Sequence, residues 1–135
     1  MGFYILSYLA AAVLFLGMDA VWLTLAGPRF YRPELGDLML ENFKVAPAAV
    51  FYTLYVVGIV IFAVQPAVAS GRWQTALLYG ALFGFFAYGT YDFTNLATIK
   101  GWSALVSFVD LAWGTFATGV SAALAYALAS SILGR

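Results

Sequence analysis

Cysteine and histidine are both absent from this 135-residue chain, and only 9% of its residues carry charge. Without thiolate or imidazole there is no disulfide framework, no zinc site of the usual kind, no haem held by Cys or His, and no catalytic triad. Six basic residues cancel six acidic ones, which leaves no basic field to attract nucleic acid. A soluble domain carries about 25% charged and about 45–50% apolar residues. Here 64% are hydrophobic, and a water-soluble domain this small would expose much of that apolar surface. The same composition excludes a disordered chain. What remains is a small integral membrane protein whose chemistry rests on Asp, Glu, Tyr, Trp, Asn, Lys and Arg.

A helix needs about 20 mostly apolar residues to cross the hydrocarbon core. Four segments qualify, over about residues 3–26, 45–69, 74–97 and 102–132. The expected fold is therefore all-α, a four-helix transmembrane bundle forming one domain over residues 1–135. The first segment lacks a basic leader and carries Asp19 and Trp22, so no cleaved signal peptide is expected. Residues 70–73 (SGRW) and 98–101 (TIKG) read as tight turns, and residues 27–44 as the one real loop. In that loop Leu35, Leu38, Met39 and Phe43 recur on one side, which predicts a short helix lying in the membrane interface. Pro66 should kink or terminate the second helix.

Four crossings put both termini on one side, together with the SGRW turn. Basic residues on the loop side are Arg29, Arg32, Lys44 and Lys100, against Arg72 and Arg135 on the terminal side. The positive-inside rule then places the loop side in the cytoplasm, in the cytoplasmic (inner) membrane. Trp73 and Trp102 read as headgroup anchors at helix starts. Gly80 and Gly84 on the third helix, and Gly119, Ala123 and Ala127 on the fourth, allow close backbone approach within the bundle or in a homodimer.

Of the twelve charged residues, three lie inside predicted helices: Asp19, Asp92 and Asp110. Helix direction brings all three to the loop-side half, roughly 7–11 Å from each helix centre at 1.5 Å per residue. An aspartate deep in a span costs roughly 2.5–3.5 kcal/mol on insertion scales. Three of them should therefore face one another across the bundle interior or line a polar pocket. Asp19 and Trp22, and likewise Asp110 and Trp113, share a D-x-x-W spacing. Each indole, a donor only, can then reach its own carboxylate or its neighbour's. Tyr88, Asp92 and Asn95 fall on one face of the third helix, with Tyr91 on the next. The same eight residues read as structural if the carboxyls serve only to fix helix register.

The stretches D-A-V-W-L (19–23), F-Y-x-x-x-L-G (30–36), F-Y-T-L-Y-V-V-G (51–58), G-A-L-F-G-F-F-A-Y-G-T-Y-D-F-T-N-L-A-T (80–98) and V-D-L-A-W-G-T (109–115) resemble those of an uncharacterised family of bacterial membrane proteins, domain-of-unknown-function family 2177. The resemblance covers nearly the whole chain. It implies a small multi-pass protein and brings no reaction with it.

The pocket expected from Asp19, Trp22, Tyr88, Tyr91, Asp92, Asn95, Asp110 and Trp113 suits binding or movement of a membrane lipid, a small amphiphile or a cation. Arg29 and Arg32 add phosphate-binding capacity for a lipid headgroup. The runner-up is an intramembrane enzyme using Asp as acid, base or nucleophile, or as ligand to Mg²⁺ or Mn²⁺. No resident cofactor is expected. The third reading is a subunit or scaffold of a membrane complex, which leaves three acids at one depth unexplained.

Overall fold

The computed structural model describes residues 1–40, 42 and 44–134, and every regular element among them is helical. The first long helix consists of α1 (Gly2–Ala26), a widened π turn (Gly27–Tyr31), α2 (Arg32–Leu35) and a 3₁₀ turn (Gly36–Leu38). The second consists of α3 (Val45–Ile59), a π turn (Val60–Val64) and α4 (Gln65–Ser70). The third is α5 (Trp73–Thr98) and the fourth α6 (Ala104–Leu133). This is the all-α, four-helix architecture the composition predicts, with most boundaries shifted by one or two residues.

The end of the first helix requires a correction. The separate interfacial helix expected in the second half of the first loop is not an element of its own. The chain stays helical from Gly2 to Leu35, Gly36 breaks it at φ 55° and ψ −125°, a single 3₁₀ turn follows over Gly36–Leu38, and Met39 is extended. Pro28 supplies no N–H to the turn before it, and its ring crowds that turn's carbonyl. The helix answers by widening: the Arg32 N–H reaches back five residues to the Gly27 carbonyl. Phe43, expected on the apolar side of the interfacial helix, lies outside the described residues. Pro66 acts in the same way. The second helix widens over Val60–Val64, the Gln65 N–H bonds the Val60 carbonyl, and the helix runs on to Ser70. Proline in a membrane-type helix is tolerated where neighbouring helices support the interrupted backbone.

Gly71, at φ 72°, makes the turn between the second and third helices. Ser103 caps α6 by accepting from the Val106 N–H at 3.1 Å. α5 and α6 lie closest together, along the glycines. A Cβ at Gly80 would sit 2.8 Å from the Ala122 Cβ, and one at Gly84 would strike the Gly114 carbonyl oxygen. Of the small residues expected to pack on α6, Gly119 and Ala123 are buried and Ala127 is exposed. Gly114 plays a part not anticipated, because the Tyr88 ring lies where its Cβ would be. α1 runs antiparallel to α6, as Trp113 bonds Asp19, Ser121 meets Met18, and Tyr126 meets Phe3.

The core is built from Phe15, Ile59, Val64 and Ala117. Leu9, Val13, Leu54, Phe86 and Phe116 point outward and are exposed, so the helices are apolar on both sides, as in a membrane span. The first, second and fourth helices are long and apolar enough to cross a bilayer. The third has 26 residues, about 39 Å at 1.5 Å per residue. It falls short on apolarity because Tyr88, Thr90, Tyr91, Asp92, Thr94 and Asn95 crowd its second half.

Candidate functional site

The three intrahelical aspartates occupy the same end of the bundle, in two unlike environments. Asp19, on α1, is 6% exposed. Its Oδ1 accepts from the Trp113 indole at 3.1 Å, and its Oδ2 accepts from the Tyr52 hydroxyl. Both oxygens are thereby held.

Asp110, on α6, is half-buried. Its Oδ1 accepts from the Tyr31 hydroxyl at 2.8 Å, and Tyr31 in turn accepts from the Trp22 indole at 2.9 Å. The two D-x-x-W units therefore interlock. Trp113 serves the aspartate of the other unit, and Trp22 serves Asp110 through Tyr31. The two indoles stack at 4.6 Å and 8°, which fixes α1 against α6 at this level.

Asp92, on α5, is fully buried, and neither of its carboxyl oxygens has a hydrogen-bond partner. The Asp110 carboxyl is its direct electrostatic neighbour. The Ser107 hydroxyl bonds the Asp92 backbone carbonyl at 3.3 Å and receives the Trp102 indole at 3.1 Å, so the backbone at Asp92 is pinned while its carboxyl has no N–H or tyrosine O–H donor and meets only the Asp110 carboxyl. Buried polar groups in native folds are nearly always satisfied. An unsatisfied carboxyl in a folded bundle is therefore the most unusual group in the molecule.

Two cavities flank these acids. The larger, about 550 Å³, is lined by Asp92 and Asp110 together with Tyr31, Arg32, Tyr91 and Trp102. The smaller, about 370 Å³, is lined by Asp19 and Asp110 with Tyr52, Tyr88 and Tyr91. Asp110 and Tyr91 belong to both walls. Most of the remaining lining is apolar, including Leu23, Leu35, Leu38 and Val106 around the larger cavity. Arg32 contributes the basic group, and its guanidinium donates to the Leu40 carbonyl at 3.1 Å.

Of the eight residues singled out from sequence, the structure brings seven to these two cavities or to the hydrogen bonds behind them. Asn95 is half-buried one turn beyond Tyr91 and lines neither cavity. Tyr31 and Tyr52 are the residues sequence reading missed. They reach acids 79 and 33 positions away in the chain, and no local spacing announces a pairing over such distances. Trp102, read from sequence as a headgroup anchor, lines the larger cavity. Among the described residues no group of three acidic side chains is close enough to hold a metal ion.

No curated protein and no solved structure gives a significant match to this chain. One family, described as predicted membrane protein (DUF2177), matches residues 4–127. That span holds all four long helices except the first two residues of α1 and the last six of α6, and every residue of the two cavities, and the chain belongs to the DUF2177 family.

Proposed function

We propose that the protein is an integral membrane protein that binds, and in binding moves, a small amphiphilic cation, with Asp92 as the group that meets the positive charge. The observation that carries this reading is the Asp92 carboxyl, buried, unpartnered and facing the larger cavity. A buried carboxylate without a partner is costly, and a cationic ligand supplies the missing partner. The lining divides accordingly. Tyr31, Tyr91 and Trp102 offer ring faces to a cation, and the leucines offer apolar surface to its hydrocarbon part. Arg32 in the same wall supports a second reading, in which a lipid bearing both an ammonium and a phosphate group lies with its phosphate on the arginine.

In this reading all four helices cross the cytoplasmic membrane, with both termini on one side. The third crosses although its apolarity is modest, because Asp92 turns into the bundle and the exposed Thr90, Thr94 and Thr98 hydroxyls are satisfied on carbonyls of their own helix. Membrane lipid is the surrounding partner.

Tetraphenylphosphonium, a permanently charged apolar cation, tests the reading. Titrated into the purified protein in nanodiscs, it should quench the fluorescence of Trp22, Trp102 and Trp113 saturably. Asp92→Asn should weaken this binding by about tenfold or more, the loss of one buried charge pair. Lack of saturable quenching, or equal affinity in the variant, overturns the proposal. Lipid specificity would show instead as competition by phosphatidylethanolamine and not by tetraphenylphosphonium.

A further inference from the structure

The smaller cavity has no part in the reading above, and it lies where two helices separate. The second helix and α5 pack closely around Phe83. Its ring stacks on Tyr55 at 4.9 Å and on Phe62 at 5.5 Å, and a Cβ at Gly58 would strike it. Toward the loop side the contact ends. Among the described residues no hydrogen bond or ring contact joins Val45–Leu54 to α5. That stretch is tied to the first helix instead: Tyr52 donates to Asp19, and the Thr53 carbonyl accepts from the Tyr8 hydroxyl at 3.2 Å. The smaller cavity fills the space so left, with Ala48, Phe51 and Tyr52 on one side and Ala87, Tyr88 and Tyr91 on the other.

The two cavities open in different directions. The larger one is bounded by Gly27, Pro28 and Met39, beyond the end of α1, and so opens toward the loop side. At the smaller one Phe51 is 47% and Tyr91 55% exposed, which places its mouth sideways, between the second helix and α5. With four helices across the membrane, lipid borders that mouth. The inner wall offers a chain little polar competition, because Asp19 already has a donor on each oxygen and Asp110 has one from Tyr31. Leu23, Tyr91 and Asp110 stand in the walls of both cavities, so the two are adjacent.

We propose that the smaller cavity is a lateral opening to the bilayer, and that it takes the hydrocarbon chain of a single-chain quaternary ammonium amphiphile whose head lies against Asp92 in the larger cavity. This deepens the reading given above, rests on it, and names its class of ligand. A chain-bearing cation that enters sideways never draws its chain through water, so it avoids the hydrophobic cost of that transfer. Its head, costly at this depth when alone, is paired by Asp92. The leucines of the larger cavity cover the carbons next to the head, and the aromatic rings of the smaller one cover the rest of the chain. The volumes of about 550 Å³ and about 370 Å³ each fall in the range of about 300–1,000 Å³ usual for small-molecule sites.

The experiment uses the absence of cysteine to attach a nitroxide at one introduced residue. Ala87→Cys places it on the smaller cavity, Met39→Cys on the larger, and Phe86→Cys on the exposed apolar surface. In nanodiscs without ligand, collisions with oxygen, which concentrates in lipid, are compared with collisions with a water-soluble nickel chelate. The Ala87 label should resemble the Phe86 label, with frequent oxygen and rare nickel collisions, while the Met39 label meets nickel. Nickel access at Ala87 equal to that at Met39, or low access of both reagents, overturns the lateral opening and leaves the cation site at Asp92 standing. Dodecyltrimethylammonium, below its micellar concentration, should lower oxygen access at Ala87 by about half or more, as a ligand filling its pocket does. Tetramethylammonium, a head without a chain, should not. Saturable tryptophan quenching by dodecyltrimethylammonium with unchanged access at Ala87, or an equal drop with both cations, overturns the placement of the chain. Absence of that quenching overturns the underlying reading as well. If Ala87→Cys fails to fold, Ala48→Cys carries the label on the opposite wall.

Discussion

At the scale of single residues, three aspartates of similar depth have different numbers of donors, and that difference separates a structural role from a chemical one. Asp19 ties three helices through Trp113 and Tyr52. An amide at that position accepts on one atom only, so Asp19→Asn strands a donor. It should lower stability by about 1–2 kcal/mol, measured by thermal unfolding in detergent micelles. Asp92→Asn takes no donor from the carboxyl and removes a buried uncompensated charge, so it should leave stability unchanged or raise it by about 1 kcal/mol. An unfolding temperature lowered more by Asp92→Asn than by Asp19→Asn contradicts this division. The D-x-x-W spacing made the acids and indoles legible as partners. It did not show that the pairs would cross over, because that depends on how α1 and α6 meet. The part of the site invisible to sequence is the tyrosine contribution: Tyr31 lies past the expected end of its helix, and Tyr52 on a helix with no acid of its own.

At the scale of elements, the glycines and prolines set the shape. Gly84 faces the Gly114 carbonyl, with Thr118 beside it. Gly84→Ala should therefore force α5 away from α6 and cost about 1–3 kcal/mol. Gly89→Ala meets only the Leu111 Cδ1 at 3.5 Å. It should be neutral or stabilising by up to about 1 kcal/mol, through the higher helix propensity of alanine. Thermal unfolding of both variants side by side checks the contrast. The Gly80-xxx-Gly84 spacing made this interface legible. The length of the first helix was not, since Pro28, Pro33 and Gly36 in sequence resemble a loop. A π turn has no hydrophobic period to betray it, and only neighbours in the fold make continuation cheaper than stopping. The consequence reaches the site, because the continued helix places Tyr31 and Arg32 on the larger cavity.

At the scale of the whole molecule, the third helix is the least apolar of the four and carries the emptiest carboxyl. If it crosses the membrane, its two ends lie on opposite sides. The chain has no cysteine, so single replacements label cleanly. Arg72→Cys and Lys100→Cys, in intact cells or oriented vesicles, should react with a membrane-impermeant maleimide from opposite faces. Labelling of both from one face would place α5 outside the bilayer and remove the reason Asp92 must turn inward. Hydropathy alone made the membrane class and the four helices legible. Where the acids would meet followed from helix direction, but which of them would be left unsatisfied required the packed bundle.

The central claim is that one buried carboxyl is chemically available while another at the same depth is locked. Dicyclohexylcarbodiimide, which modifies protonated carboxyls in apolar surroundings, reads this directly when the adduct is mapped by proteolysis and mass spectrometry. The account predicts modification at Asp92, little at Asp19, and protection of Asp92 by tetraphenylphosphonium. Preferential modification of Asp19, or labelling of Asp92 that the cation does not slow, would contradict it.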